Sequence, residues 1–175
     1  DEPCHRLFYK GTDSFQEGLA AGEVMGNIIG DKAKILLSSA LHQDNLKLRI
    51  NGFNTYLAAN LAGTRVVRII DSSGLTEEQI VSEIEAVLKE HPDLSGFYGT
   101  DIESFMPMVN YMKKNRLTGK IKVVTHDLSD DIARLIHDGM ITASVCQNPF
   151  AQGFDTVIHL YNHLAGGWKP PVERL

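Results

Sequence analysis

The sequence predicts an α/β fold, a three-layer α/β/α sandwich built on a mostly parallel sheet of six strands, and three observations lead there. Short β-branched runs alternate with longer segments whose apolar residues recur at helical spacing along the 175 residues. The strand-like runs finish in polar residues, as strands do when their carboxyl ends open onto a ligand crevice. Residues 121–154, IKVVTHDLSDDIARLIHDGMITASVCQNPFAQGF, fit strand, helix, strand and helix into one stretch, which calls for right-handed crossovers between parallel strands.

In order along the chain, Arg6 to Lys10 reads as the first strand and leads into Gly11-Thr12-Asp13, where Asp13 can cap a helix reaching about Ile29. Lys34 to Ser38 is the second strand, and a helix from about Asn45 to Asn60 is expected to turn Leu48, Phe53 and Leu57 inward. The third strand, Arg65 to Ile70, runs into Asp71-Ser72-Ser73-Gly74. Thr76 with Gln79 forms a capping-box pattern ahead of Ile80, Ile84, Val87 and Leu88, and His91-Pro92-Asp93 stops that helix. Leu94 to Tyr98 is the fourth strand, ending at Gly99-Thr100-Asp101. The next helix, Ile102 to Lys114, carries Phe105, Met108, Val109 and Met112 and tolerates Pro107 near its start. Lys122 to Thr125 stops at His126-Asp127, Ser129 caps a helix that ends at Gly139, and Ala143 to Cys146 runs into Gln147. Pro149 opens a last helix to Ala165 with Phe154, Val157, Ile158, Tyr161 and Leu164 on one stripe, before Gly166-Gly167.

Composition narrows the function classes. Hydrophobic residues make up 43% and charged residues 22%, the net charge is -5, and no basic run offers a nucleic-acid surface. No apolar run approaches the roughly 20 residues of a membrane span. The chain opens on Asp1 rather than methionine, which reads as part of a longer protein. Cys146, inside an apolar strand, is expected to be reduced and buried, and nothing in the sequence brings Cys4 near it, which favours a cytosolic setting. There is no G-x-G-x-x-G, no Gly-Lys-Ser/Thr phosphate loop and no G-x-S-x-G elbow, so no nucleotide cofactor or hydrolase is implied. His159 and His163 stand four apart on a helix but lack a third ligand nearby, so no metal is expected.

The stretches YKGTDSFQEGLAAGE near the start, RINGF at Arg49 to Phe53, HPDLSGFYGTD at His91 to Asp101, GKIKVVTHD at Gly119 to Asp127 and DGMITASVCQNPFAQG at Asp138 to Gly153 carry a resemblance. Together they resemble, nearly end to end, the sugar-binding domain shared by type-1 periplasmic binding proteins and lactose-repressor-like transcription factors. The resemblance implies a Rossmann-like lobe at residues 1–148, the carboxyl-terminal lobe of a two-lobed domain, and a crossover helix and tail at residues 149–175 that would pack on the other lobe. It puts Arg49 where the family forks a guanidinium onto sugar hydroxyls, Asp127 where it uses a carboxylate, and Gln147 where it uses an amide near the hinge. Thr100-Asp101 stands where many members have Asn-Asp, and His126 where many have an aromatic residue. Thr12 and Asp13 complete the implied ligand set. A residue such as Asp101 or Asp127 at a strand end is also a ready helix cap.

The function expected on this basis is an effector-sensing domain of a lactose-repressor-like regulator. A sugar would close two lobes and reset helix-turn-helix heads encoded upstream, with DNA touched only through those heads and no reaction catalysed. The alternative on the same fold is a solute-binding protein of a sugar transporter, periplasmic or extracellular. A small flavodoxin-like enzyme is the third reading. The apolar stripe of the last helix, if uncovered, is expected to fold back on its own lobe or to pair in a homodimer.

Overall fold

The structure, a computed structural model, describes residues 7–170. Its elements are α1 (Ser14–Ile29), β1 (Lys34–Ser39), α2 (Asp44–Asn60), β2 (Arg65–Asp71), α3 (Glu77–Glu90), β3 (Gly96–Gly99), α4 (Ile102–Lys114), β4 (Lys122–His126), α5 (Asp130–His137), β5 (Ala143–Val145) and α6 (Pro149–Gly166). They fall into two compact units. One holds residues 14–146; the other holds α6 together with the segments before residue 14 and after residue 146.

The first unit is a parallel sheet in the order β2-β1-β3-β4-β5. The alternation expected of a sheet buried on both faces is plain in β1. Leu36 joins a core with Phe97, Phe105, Met108, Met112 and Ile84 on one face, and Ile35 and Leu37 join Met25, Phe53 and Tyr98 on the other. The capping box of Thr76 and Gln79 forms, and Asp101 and Ser129 cap α4 and α5 through the backbone N–H groups of Ser104 and Ile132.

Helices α1 and α2 approach unusually closely, and glycine permits it. A Cβ on Gly18 would lie 2.0 Å from the Arg49 carbonyl oxygen, and one on Gly52 would lie 2.1 Å from that of Phe15. Both distances are far inside van der Waals contact, so the two glycines set the separation of the helices and with it the seat of Arg49 beside α1.

Four expectations change. The sheet has five strands, not six: Arg6 lies outside the described residues, and among residues 7–10 only Tyr9 makes an isolated bridge. An apolar, aromatic run becomes a strand only with a neighbour to ladder against, and residues 7–10 group with α6 rather than with the sheet. Leu48 is 41% exposed. The buried stripe of α2 is Leu46, Arg49, Ile50, Phe53 and Leu57, and Leu48 stands roughly 150° round the helix from its centre. Cys146 is a free and exposed thiol, because β5 stops one residue earlier at Val145; Cys4 lies outside the described residues. Helix α6 buries none of its residues, with Phe154, Tyr161 and Leu164 at 55%, 67% and 76% exposure, so its stripe is not folded back under cover.

Candidate functional site

In a parallel sheet every strand delivers its carboxyl end to the same edge. Here the order reverses between β1 and β3: the connection after β1 runs to β2 on one side, and the connection after β3 runs to β4 on the other. The crevice at such a switch point, between the ends of β1 and β3, is where open α/β sheets bind ligands. The residues at that place are Ser38, Ser39 and Thr100, all fully buried.

A chain of hydroxyls and one carboxylate runs across this edge. Thr100 Oγ1 lies 2.7 Å from Ser39 Oγ and 3.0 Å from Asp101 Oδ2. Ser104 donates its hydroxyl to the same Oδ2 at 2.6 Å and its backbone N–H to Oδ1 at 3.0 Å, and its oxygen lies 2.9 Å from that of Ser72. Asp101 is thus both the cap of α4 and the acceptor on which the loops after β2 and β3 converge. Thr125 adds a bond from its hydroxyl to the Gly99 carbonyl, fixing the end of β3 from β4.

Beneath the edge, on the face covered by α1 and α2, lies a buried charged pair. Arg49 donates from Nε to Glu17 Oε2 at 3.0 Å and from Nη1 to the Thr100 carbonyl at 2.7 Å, and both side chains are 5% exposed. A planar guanidinium suits this double duty, one edge on a carboxylate and one corner on a strand end. Beside it, Tyr98 stacks on Phe53 with ring centroids 4.2 Å apart, and its hydroxyl meets His126 Nε2 at 2.7 Å. Burial, with the Arg49 charge adding to it, pushes His126 down to about 3, so the ring is neutral at physiological pH. The same burial raises the Tyr98 hydroxyl well above its ordinary value. Glu17 Oε1, Ser38 Oγ and His126 Nδ1 are buried without a hydrogen-bond partner among the described residues. Tyr98 and neutral His126 bring two polar protons to a single mutual bond, so one of those protons is unmatched whichever tautomer the ring adopts.

Asp127 takes a left-handed backbone conformation, φ 69°, just past β4. Its N–H donates to the Val145 carbonyl at 2.9 Å and its own carbonyl accepts from the Ser144 hydroxyl, so β5 holds it in place. Aspartate tolerates this region better than most residues, and such conformations cluster at ligand sites. The carboxylate is half-buried at the strand edge.

The second unit carries its own polar group. Thr12 donates to Gln147 Oε1 at 3.1 Å, and Gln152 Nε2 lies 2.7 Å from Thr12 Oγ1 and 3.3 Å from Gln147 Oε1. Asp13 is exposed. His159 stacks on Trp168 with centroids 4.7 Å apart, and His163 Nδ1 lies 2.7 Å from the Trp168 carbonyl, so both rings of the candidate metal pair pack against the turn that ends α6.

Of the residues singled out from sequence, Arg49, Thr100, Asp101, His126 and Asp127 fall at or beneath the ends of β3 and β4, and Thr12 joins Gln147 in the other unit. Thr100 and His126 are buried rather than presented. Ser39, Glu17, Ser104 and Gln152 were missed. Glu17 lies within the stretch YKGTDSFQEGLAAGE and on the buried stripe of α1, but only its pairing across the α1–α2 contact marks it as part of the site. Ser39 could have been found, since it ends a strand as Thr100 does.

A model of the periplasmic binding protein domain matches residues 1–167. The glucose-galactose binding protein GanP from Geobacillus stearothermophilus is 25% identical, with a TM-score of 0.84 over 100% of this chain and 61% of its own. The sugar-binding protein of a sugar ABC transporter from Bacillus halodurans superposes with a TM-score of 0.88 over 96% of this chain and 57% of its own; at 20% identity it shows the fold alone. The xylose/arabinose-binding protein XylF from Sulfolobus acidocaldarius is 23% identical over 164 residues, 90% of this chain but 40% of that protein. The chain therefore spans between 40% and 61% of the length of these relatives. They are named as sugar-binding proteins, one of them of a transporter, and not as lactose-repressor-like regulators, which overturns the expectation of an effector domain controlling DNA binding.

Proposed function

Since the chain belongs to the periplasmic binding protein domain family, we propose that it is the sugar-recognising portion of a solute-binding protein that serves an ABC transporter. The observation that carries this is the strand edge itself: Arg49, Thr100, Asp101 and Asp127 gather charged and hydroxyl hydrogen-bonding groups at the switch point of a fold shared over nearly the whole chain with sugar-binding proteins. The edge thus carries both donor and acceptor groups, the two kinds that sugar hydroxyls bond to. In this role the protein binds and releases sugar without transforming it. Its partners are a sugar and the membrane components of a transporter rather than DNA, and its setting is the periplasm or the outer face of the membrane rather than the cytosol. No helix among the described residues is long and apolar enough to cross a membrane. The homodimer expected from the stripe of α6 draws no support from the relatives.

The test is a thermal-shift screen of pentoses, hexoses and their acids on the full-length protein, followed by calorimetry. A ligand that binds only the folded state at a hundred times its Kd adds about 2.7 kcal/mol to stability and raises Tm accordingly. A folded protein whose Tm no sugar moves would refute the proposal. Arg49→Ala separates this site from any other, and is expected to abolish the shift for the sugar that gives the largest one.

A further inference from the structure

Building on the sugar-binding reading, we infer that Glu17 makes this site selective for uncharged sugars over sugar acids by neutralising Arg49. A guanidinium at the ligand-binding edge of a sheet is ordinarily the group that grips a carboxylate, through two parallel N–H bonds. In this chain the Nε corner of that fork is already occupied by Glu17 Oε2 at 3.0 Å, and Nη1 by the Thr100 carbonyl at 2.7 Å. Two of the guanidinium's three nitrogens are thus already engaged within the protein, and its charge is balanced by Glu17 at 5% exposure, where screening by water is slight.

A second, independent observation points the same way. The other oxygen of Glu17, Oε1, is buried with no hydrogen-bond partner among the described residues. An unmatched carboxylate oxygen is an acceptor that a hydroxyl proton satisfies and that a second carboxylate meets only with repulsion. In the same unit, the loops that follow β1 to β4, residues 40–43, 72–76, 100–101 and 127–129, contain no Lys or Arg, whereas they contribute Asp101 and Asp127. Among the nearest rings, His126 lies buried against Tyr98 and carries no charge at neutral pH.

The experiment uses matched pairs that differ only at C6: D-glucose with D-glucuronate, and D-galactose with D-galacturonate. Each is titrated by calorimetry at neutral pH into the full-length wild-type protein and into Glu17→Gln and Glu17→Asp. The wild type is expected to prefer the neutral member by about 100-fold or more, the scale of an unrelieved like-charge contact. Glu17→Gln, which keeps a hydrogen-bonding side chain but frees the Arg49 charge, should narrow that preference by at least about tenfold. Glu17→Asp, which keeps the charge, should preserve most of it. The inference fails if the wild type binds a uronate as tightly as its neutral partner, if Glu17→Gln folds and leaves the ratio unchanged, or if Glu17→Asp relaxes the ratio as far as Glu17→Gln does. Should Glu17→Gln not fold, the wild-type ratio and Glu17→Asp still decide. A wild type that binds none of the four overturns the sugar reading itself, and this inference falls with it. Tight binding of the uronates refutes the charge argument while leaving sugar recognition standing.

Discussion

Lowering the pH from 7 to 5 should cost this protein stability through one buried ring. His126, the last residue of β4, is fully buried, with Tyr98 on β3 bonded to its Nε2 and the Arg49 charge from α2 nearby, held in turn by Glu17 on α1. In the unfolded chain the imidazole takes a proton near 6.5, whereas in the fold burial and Arg49 hold it down at about 3. A group whose folded value is depressed gives its full stabilising effect above the unfolded value and loses it as the pH falls, here from 6.5 down toward 3. The whole gap is worth roughly 5 kcal/mol, and the part lost between pH 7 and pH 5 is about 2 kcal/mol. His126→Gln keeps a nitrogen or oxygen where Nε2 meets the Tyr98 hydroxyl but cannot be protonated. Urea denaturation of wild type and variant at both pH values isolates the effect, because carboxylates that titrate in both proteins cancel in the difference. The wild type should lose about 2 kcal/mol more than His126→Gln between the two pH values. Equal losses would mean that the ring is not held neutral by burial, and the description of the pocket floor beneath the strand ends would be wrong.

Asp127→Asn should weaken sugar binding at least tenfold by calorimetry while leaving Tm nearly unchanged, since asparagine also tolerates the left-handed backbone at φ 69° but offers one acceptor oxygen instead of two. A large drop in Tm would make the carboxylate structural. Gly52→Ala should destabilise the protein by about 1–3 kcal/mol in urea, because its Cβ would meet the Phe15 carbonyl at 2.1 Å; an open helical glycine would instead gain about 1 kcal/mol from the same change. A stabilised Gly52→Ala protein would contradict the close crossing of α1 and α2 that seats Arg49. Cys146 should react with a thiol reagent in the native state at close to the rate of a free cysteine, and protection until denaturant is added would contradict its exposure past β5.

Element type was legible in the sequence wherever a local rule acts alone. The Thr76–Gln79 box, the Ser129 cap, Pro149 at the start of α6 and the glycine after its end are all chemistry between near neighbours, and each forms as the pattern implies. The buried stripe of α4 followed from spacing for the same reason. That strands end in polar residues placed Thr100, Asp101, His126 and Asp127 on one edge, because parallel strands send their carboxyl ends the same way. What the sequence could not decide was anything that needs a second segment. Arg6 to Lys10 has the composition of a strand, but its described residues, 7–10, have no place in the sheet, which counts five strands among the described residues. Leu48 is apolar yet points outward, since a helix turns inward the stripe its neighbour can cover, and that stripe includes Arg49. The charge on Arg49 is cancelled by Glu17, 32 residues away in sequence, through a helix contact that two glycines allow. Periodicity assigns a residue to a face; only packing decides which group meets it there, and that meeting determines whether the Arg49 guanidinium stands as a free cation or as half of a neutral pair.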